Sequence, residues 1–145
     1  LRIIQERLPA VFVMENVKGI LSSKLNGKLV FDQILEDLQD PGKALTGASS
    51  YKGSGYRLYS MLTGKCISRN ADKVGINPRE FILKAEDYGV PQRRHRVFIL
   101  GVREDIELSF DPILEKSETG SPHLRDLIED LPKLRSGLSG RSKGA

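Results

Sequence analysis

Val11-Phe12-Val13-Met14-Glu15-Asn16-Val17 is an apolar run that ends on a carboxylate and an amide. A short apolar run of this kind reads as a buried strand, and it delivers Glu15 to the rim of a sheet. Later in the chain, Gln92-Arg93-Arg94-His95-Arg96 stands directly before Val97-Phe98-Ile99-Leu100, the same combination in reverse order. α/β enzymes build their sites at the ends of such strands, so one carboxylate and three arginines become candidates for one pocket.

The surrounding pattern is α/β. Leu1, Ile4 and Leu8 fall at helical spacing up to Pro9, and no capping residue precedes them, so the chain is expected to open inside a helix. Leu25, Leu29, Ile34, Leu35 and Leu38 predict an amphipathic helix from Asn26 to Gln39, stopped by Pro41-Gly42. Residues 41–55 read as a Gly- and Ser-rich loop. Tyr56 to Leu62 alternates as a strand, with Tyr56, Leu58, Ser60 and Leu62 on one face. A polar stretch runs from Thr63 to Pro78, and Phe81 to Ala85 forms a shorter strand. Arg96 to Val102 is a last strand apolar enough to be buried on both faces. Ser121-Pro122 starts a short helix through Leu124, Leu127, Ile128 and Leu131, ending at Pro132.

The 145 residues, 39% hydrophobic, suffice for one domain. Residues 1–132 form that body, and 133–145 read as a basic, Gly- and Ser-rich linker or tail. No apolar run approaches the roughly 20 residues of a membrane span, and no secretory leader is visible, so a soluble cytoplasmic protein without a membrane partner is expected. Cys66 stands alone, which excludes an internal disulfide and a thiolate metal cluster. The formal charge is +4, but Lys133, Arg135, Arg141 and Lys143 supply it, and the remaining basic groups balance the 19 acidic ones. Nucleic-acid binding therefore rests on particular arginines rather than on bulk charge.

Position alone leaves Glu15 open to an ordinary role as a cap or solvated residue, and Asn16 to a turn role. The arginine cluster is open to a reading as a solvated basic edge. Strand alternation puts Arg94 and Arg96 on one face and Arg93 and His95 on the other. Two guanidiniums aimed at one place repel unless an anion or carboxylate lies between them. His95 receives no chemistry from the sequence, and Cys66 reads as an incidental small residue.

Residues 9–17, PAVFVMENV, and 85–101, AEDYGVPQRRHRVFILG, together resemble the cytosine-C5 DNA methyltransferases. The first is similar to the family's Glu-Asn-Val segment and the second to its Gln-Arg-Arg-x-Arg segment, in the family's order. The helix from Ser121 to Pro132 is similar to the one that follows this core in the family. The resemblance implies a partial Rossmann-like methyltransferase fold with a mixed sheet, the second half of a catalytic domain. It implies double-stranded DNA with a flipped cytosine as partner, S-adenosylmethionine as methyl donor, and no metal.

In the chemistry so implied, a cysteine thiolate attacks C6 of an extruded cytosine, C5 takes the methyl group, and elimination restores the ring. Glu15 would hold or share the proton at N3 in a dry pocket that raises its pKa, and Arg96 would donate to O2 and orient the carboxylate. Asn16, Val17, Gln92 and Arg94 would surround the flipped nucleotide, with Arg94 on a phosphate and Gln92 and Asn16 bracing the loops. The family's glycine-rich cofactor loop and its Pro-Cys dipeptide are not among these residues, and Cys66 lacks the preceding proline. The chain is therefore expected to be a fragment, inactive alone, with missing parts of the catalytic domain as its partner. Two alternatives stand beside it: a fragment of the tRNA-methylating branch, which also shows Glu-Asn-Val-Lys-Gly, and a non-catalytic half or DNA-binding regulator of a split or degenerate enzyme.

Overall fold

The computed structural model describes residues 1–47, 55–69 and 77–132. Helix α1 (Arg2–Arg7) leads through Pro9 into strand β1 (Val11–Val17), and a 3-10 turn (Lys18–Leu21) follows. Strands β2 (Lys24–Leu25) and β3 (Lys28–Leu29) form a hairpin ahead of α2 (Val30–Gln39) and α3 (Pro41–Thr46). Then come β4 (Tyr56–Tyr59), β5 (Cys66–Ile67), β6 (Ile82–Lys84), β7 (His95–Arg103) and α4 (Leu124–Ile128). This is a partial α/β methyltransferase fold.

The sheet runs β1-β7-β4-β5, with β6 pairing β7 beyond the end of β4. Each pairing among the described residues is antiparallel. Both β1 and β4 flank β7 and therefore run in the same direction as each other. Strand β7 is central because its sequence is apolar almost throughout. Val97, Ile99 and Val102 are buried, whereas Phe98 and Leu100 are half-buried. Burial on both faces is therefore incomplete: α2 covers the face of Val97 and Ile99.

That covered face holds the core. Phe31, Leu35 and Leu38, at helical spacing on α2, pack with Tyr56, Leu58, Ile67, Phe81, Val97 and Ile99. The rings of Phe31 and Phe81 meet edge to face with centroids 5.5 Å apart. Phe12 of β1 faces Gly101 of β7 across the ladder. A Cβ on Gly101 would lie 2.2 Å from the Phe12 ring, so this glycine is the space in which the ring lies. Phe12 thereby reaches Tyr56 at 5.0 Å, and the Tyr56 hydroxyl donates to the Pro9 carbonyl at 2.9 Å.

Several boundaries differ from the sequence reading. Residues 26–29 belong to the hairpin rather than to the helix: Asn26 (φ 51°) and Gly27 (φ 80°) both take the left-handed conformation of a two-residue turn. Pro41 starts a helix instead of beginning a loop, because Asp40 caps it by accepting from the Lys43 amide and proline fits the first turn. Residues 48–54 of the expected loop lie outside the described residues, as do 70–76 of the polar stretch and the tail 133–145. Strand β4 ends at Tyr59, because the Ser60 hydroxyl turns the chain: it accepts from the amides of Leu62 and Thr63 and donates to the Glu80 carbonyl. At α4 the cap is His123 with Asp126, and the Ser121 hydroxyl donates instead to the Val90 carbonyl.

Candidate functional site

The register of β1 on β7 decides what Glu15 meets. Glu15 stands opposite Phe98 and Val17 opposite Arg96, so Glu15, Val17, Phe98 and Arg96 share the sheet face away from α2. Arg94, two residues before Arg96, projects to the same side. The Glu15 carboxylate oxygen Oε1 lies 3.0 Å from Arg96 Nε and 4.0 Å from Arg94 Nη2. A carboxylate thus stands between the two guanidiniums whose mutual repulsion the sequence flagged.

Glu15 is 44% exposed and Arg96 23%. A pair this open contributes about 1 kcal/mol or less to stability, so its geometry bears on chemistry more than on holding the fold. Arg96 is held further by its Nη1, which donates to the His95 carbonyl at 2.9 Å.

A cavity of about 340 Å³ opens beside this group, lined by Glu15, Arg94, Arg96, Leu83, Tyr88 and Phe98 among others. The far wall comes from the 3-10 helix Ala85–Tyr88, whose end Gly89 (φ 80°) closes in the left-handed region. Only glycine takes that conformation without strain, which is why Tyr88-Gly89-Val90-Pro91 turns where it does. The segment 114–121 braces the wall from outside: Lys116 pairs with Asp87 at 2.9 Å, and the Ser117 amide donates to the Asp87 carbonyl. Through that bond Lys116 holds the Asp87 carboxyl below its ordinary range.

The other expected residues are less engaged. The Asn16 side-chain oxygen accepts from the Val17 amide at 2.8 Å, a local bond that shapes the end of β1. Val17 is exposed. The Gln92 side chain is exposed and its backbone amide donates to Val90. Cys66 lies on β5, with β4 and β7 between it and β1. Three strand spacings put it about 14 Å from Glu15, too far to serve a ring held at that carboxylate.

Sequence reasoning gave no role to Leu83, Phe98 or Leu114, which make the pocket apolar. Strand alternation from Arg96 could have found Phe98. Leu114 had no signal, since the bond from its amide to the Met61 carbonyl joins distant segments.

S-adenosylmethionine does not fit this pocket. Its sulfonium is a cation and would meet Arg94 and Arg96, and no glycine lines the cavity to let backbone approach an adenosyl group. Among the described residues no cluster of His, Cys, Asp and Glu could hold a metal ion, and no helix is long and apolar enough to cross a membrane.

The profile of the C-5 cytosine-specific DNA methylases matches residues 1–45 and 62–142. Type II methyltransferase M.BbvI of Brevibacillus brevis is 36% identical over 133 residues, covering 89% of this chain and 27% of that protein. Type II methyltransferase M.DdeI of Desulfomicrobium norvegicum is 31% identical over 135 residues, 91% of this chain and 25% of that protein. A shorter match, 46% identical over 72 residues, joins 49% of the chain to 21% of M.MthTI from Methanothermobacter thermautotrophicus. The chain spans about a quarter of the length of the curated relatives it matches. No solved structure matches it. Both segments that bring Glu15 to Arg94 and Arg96 fall inside the matched residues, and the chain belongs to the C-5 cytosine-specific DNA methylase family.

Proposed function

We propose that this chain supplies the base-holding half of a DNA cytosine-5 methyltransferase site of the restriction–modification type. The observation that carries the reading is the convergence of Arg96 and Arg94 on Glu15 beside a largely apolar cavity. Nucleophilic attack at C6 of a flipped cytosine drives negative charge toward N3 and O2 of the ring. Glu15 answers it by placing a proton between its carboxylate and N3, since two acceptors cannot meet without one. Arg96 donates to O2 while holding the carboxylate, and Arg94 takes a phosphate of the extruded nucleotide. Asn16, Val17 and Gln92 shape the two loops around the base. The nucleophile and the cradle for S-adenosylmethionine, which supplies the methyl cation equivalent, come from parts of the catalytic domain other than the described residues. This chain by itself therefore transfers no methyl group.

A chimera tests the reading: residues 1–132 replace the matching segment of M.BbvI, and incorporation of labelled methyl groups into duplex DNA is measured. Activity restored by the wild-type segment and lost with Glu15→Gln supports the assignment. A folded chimera that binds DNA in a salt-dependent way and never methylates it would favour a regulator instead.

A further inference from the structure

His95 stands between the two arginines of the site, on the opposite face of β7, and the proposed reaction gives it nothing to do. Its ring nevertheless makes a definite contact. Nε2 lies 2.7 Å from Glu86 Oε1, with both side chains partly open to solvent. An ionised carboxylate can only accept, so the imidazole donates from Nε2. Glu86 belongs to the 3-10 helix Ala85–Tyr88, the wall of the cavity.

Two more bonds run alongside. The Ala85 amide donates to the Arg94 carbonyl at 3.0 Å, and Arg96 Nη1 donates to the His95 carbonyl at 2.9 Å. Arg94, His95 and Arg96 are therefore each tied down in turn: the first by its carbonyl, the second by its ring, the third by its guanidinium. A strand end so held cannot twist without releasing Arg96 from Glu15.

We infer that Glu86 and His95 form a positioning pair, which locks the strand end so that Arg94 and Arg96 converge on Glu15. The role rests on the proposed function, because it serves the same carboxylate, but it concerns geometry that exists without substrate. The pair has a charged neighbourhood on each packed element: Lys84 opposite His95 on β6, Arg96 on β7 itself with Arg94 just before it, and Asp87 with Lys116 beside Glu86. Glu86 is held ionised below its ordinary range by its own backbone amide and then by His95.

The test is nuclear magnetic resonance on the 145-residue chain, reading hydrogen exchange at Arg96 Nε–H and at the backbone amides of β4. Glu86→Ala and His95→Ala should each speed Arg96 Nε–H exchange about five-fold, the population change that one exposed ion pair supplies, and leave β4 protection unchanged. Glu86→Gln, which keeps an acceptor oxygen, should recover most of the protection. Unaltered Arg96 exchange in both alanine variants would overturn the inference. Equal loss of protection at β4 would also overturn it, because the pair would then only stabilise the fold. Neither readout depends on methyl transfer, so the failure of this pair and the failure of the proposed reaction are separable.

Discussion

The guanidinium of Arg96 holds two acceptors at once: Glu15 Oε1 at 3.0 Å from Nε, and the carbonyl of its own neighbour His95 at 2.9 Å from Nη1. The second contact fixes the plane of the fork, and the first then has one direction. A lysine ammonium has neither a plane nor a second arm. Arg96→Lys in the M.BbvI chimera should lower the methylation rate on the order of 10²-fold, the scale of a lost oriented donor. Wild-type turnover would mean that charge alone is required.

Glu15→Gln keeps the shape of the side chain and removes its capacity to share a proton as a carboxylate does. Single-turnover methylation by the chimera should slow on the order of 10²-fold or more. Because the ion pairs at Glu15 are exposed, the melting temperature should hardly move. A rate unchanged by the substitution would take Glu15 out of the mechanism.

Gly101 is occupied by the ring of Phe12, which a new Cβ would meet at 2.2 Å. The ring lies over the strand and meets Tyr56 edge to face, with centroids 5.0 Å apart. Gly101→Ala should cost about 1–3 kcal/mol by overpacking, measured by urea unfolding. Stability at the wild-type level would show that β1 can shift on β7.

Phe31 is fully buried against Phe81 at the centre of the core. Truncation leaves a ring-sized void between α2 and the sheet. Phe31→Ala should destabilise by about 3–5 kcal/mol, enough to unfold a marginal domain, and circular dichroism would register it. A loss below about 1 kcal/mol would mean that α2 collapses onto the sheet.

The carboxyls of Glu86, Asp87 and Asp105 sit below their ordinary range: Glu86 through its own amide and His95, Asp87 through Lys116, and Asp105 through a two-pronged contact with Arg103. Each has a folded pKa depressed relative to the unfolded chain. Their stabilising contribution is complete above the unfolded values, near pH 4, and is lost as pH falls through the folded ones. The melting temperature should therefore drop as pH falls below about 4, and Asp105→Asn should flatten that limb. An unchanged limb in the variant would assign the acid sensitivity elsewhere.

The sequence by itself determined the strands β1 and β7, because continuous apolar runs bounded by charge have few other homes. Alternation also put Arg94 and Arg96 on one side and His95 on the other, since strand period is a local property. Local composition misplaced the start of α2, where an Asn-Gly turn overrode helical spacing; it ended α2 correctly at Gln39 but read a loop from residue 41, where Asp40 caps a new helix at Pro41. Only the tertiary structure decided that Glu15 meets those arginines, because that depends on the register of β1 against β7 across a long stretch of intervening chain. It also decided the partner of His95 and the apolar wall of the cavity, whose members come from β6, β7 and the segment near Leu114. Pairings of this kind are set by which surfaces pack, and no spacing within a single segment encodes them.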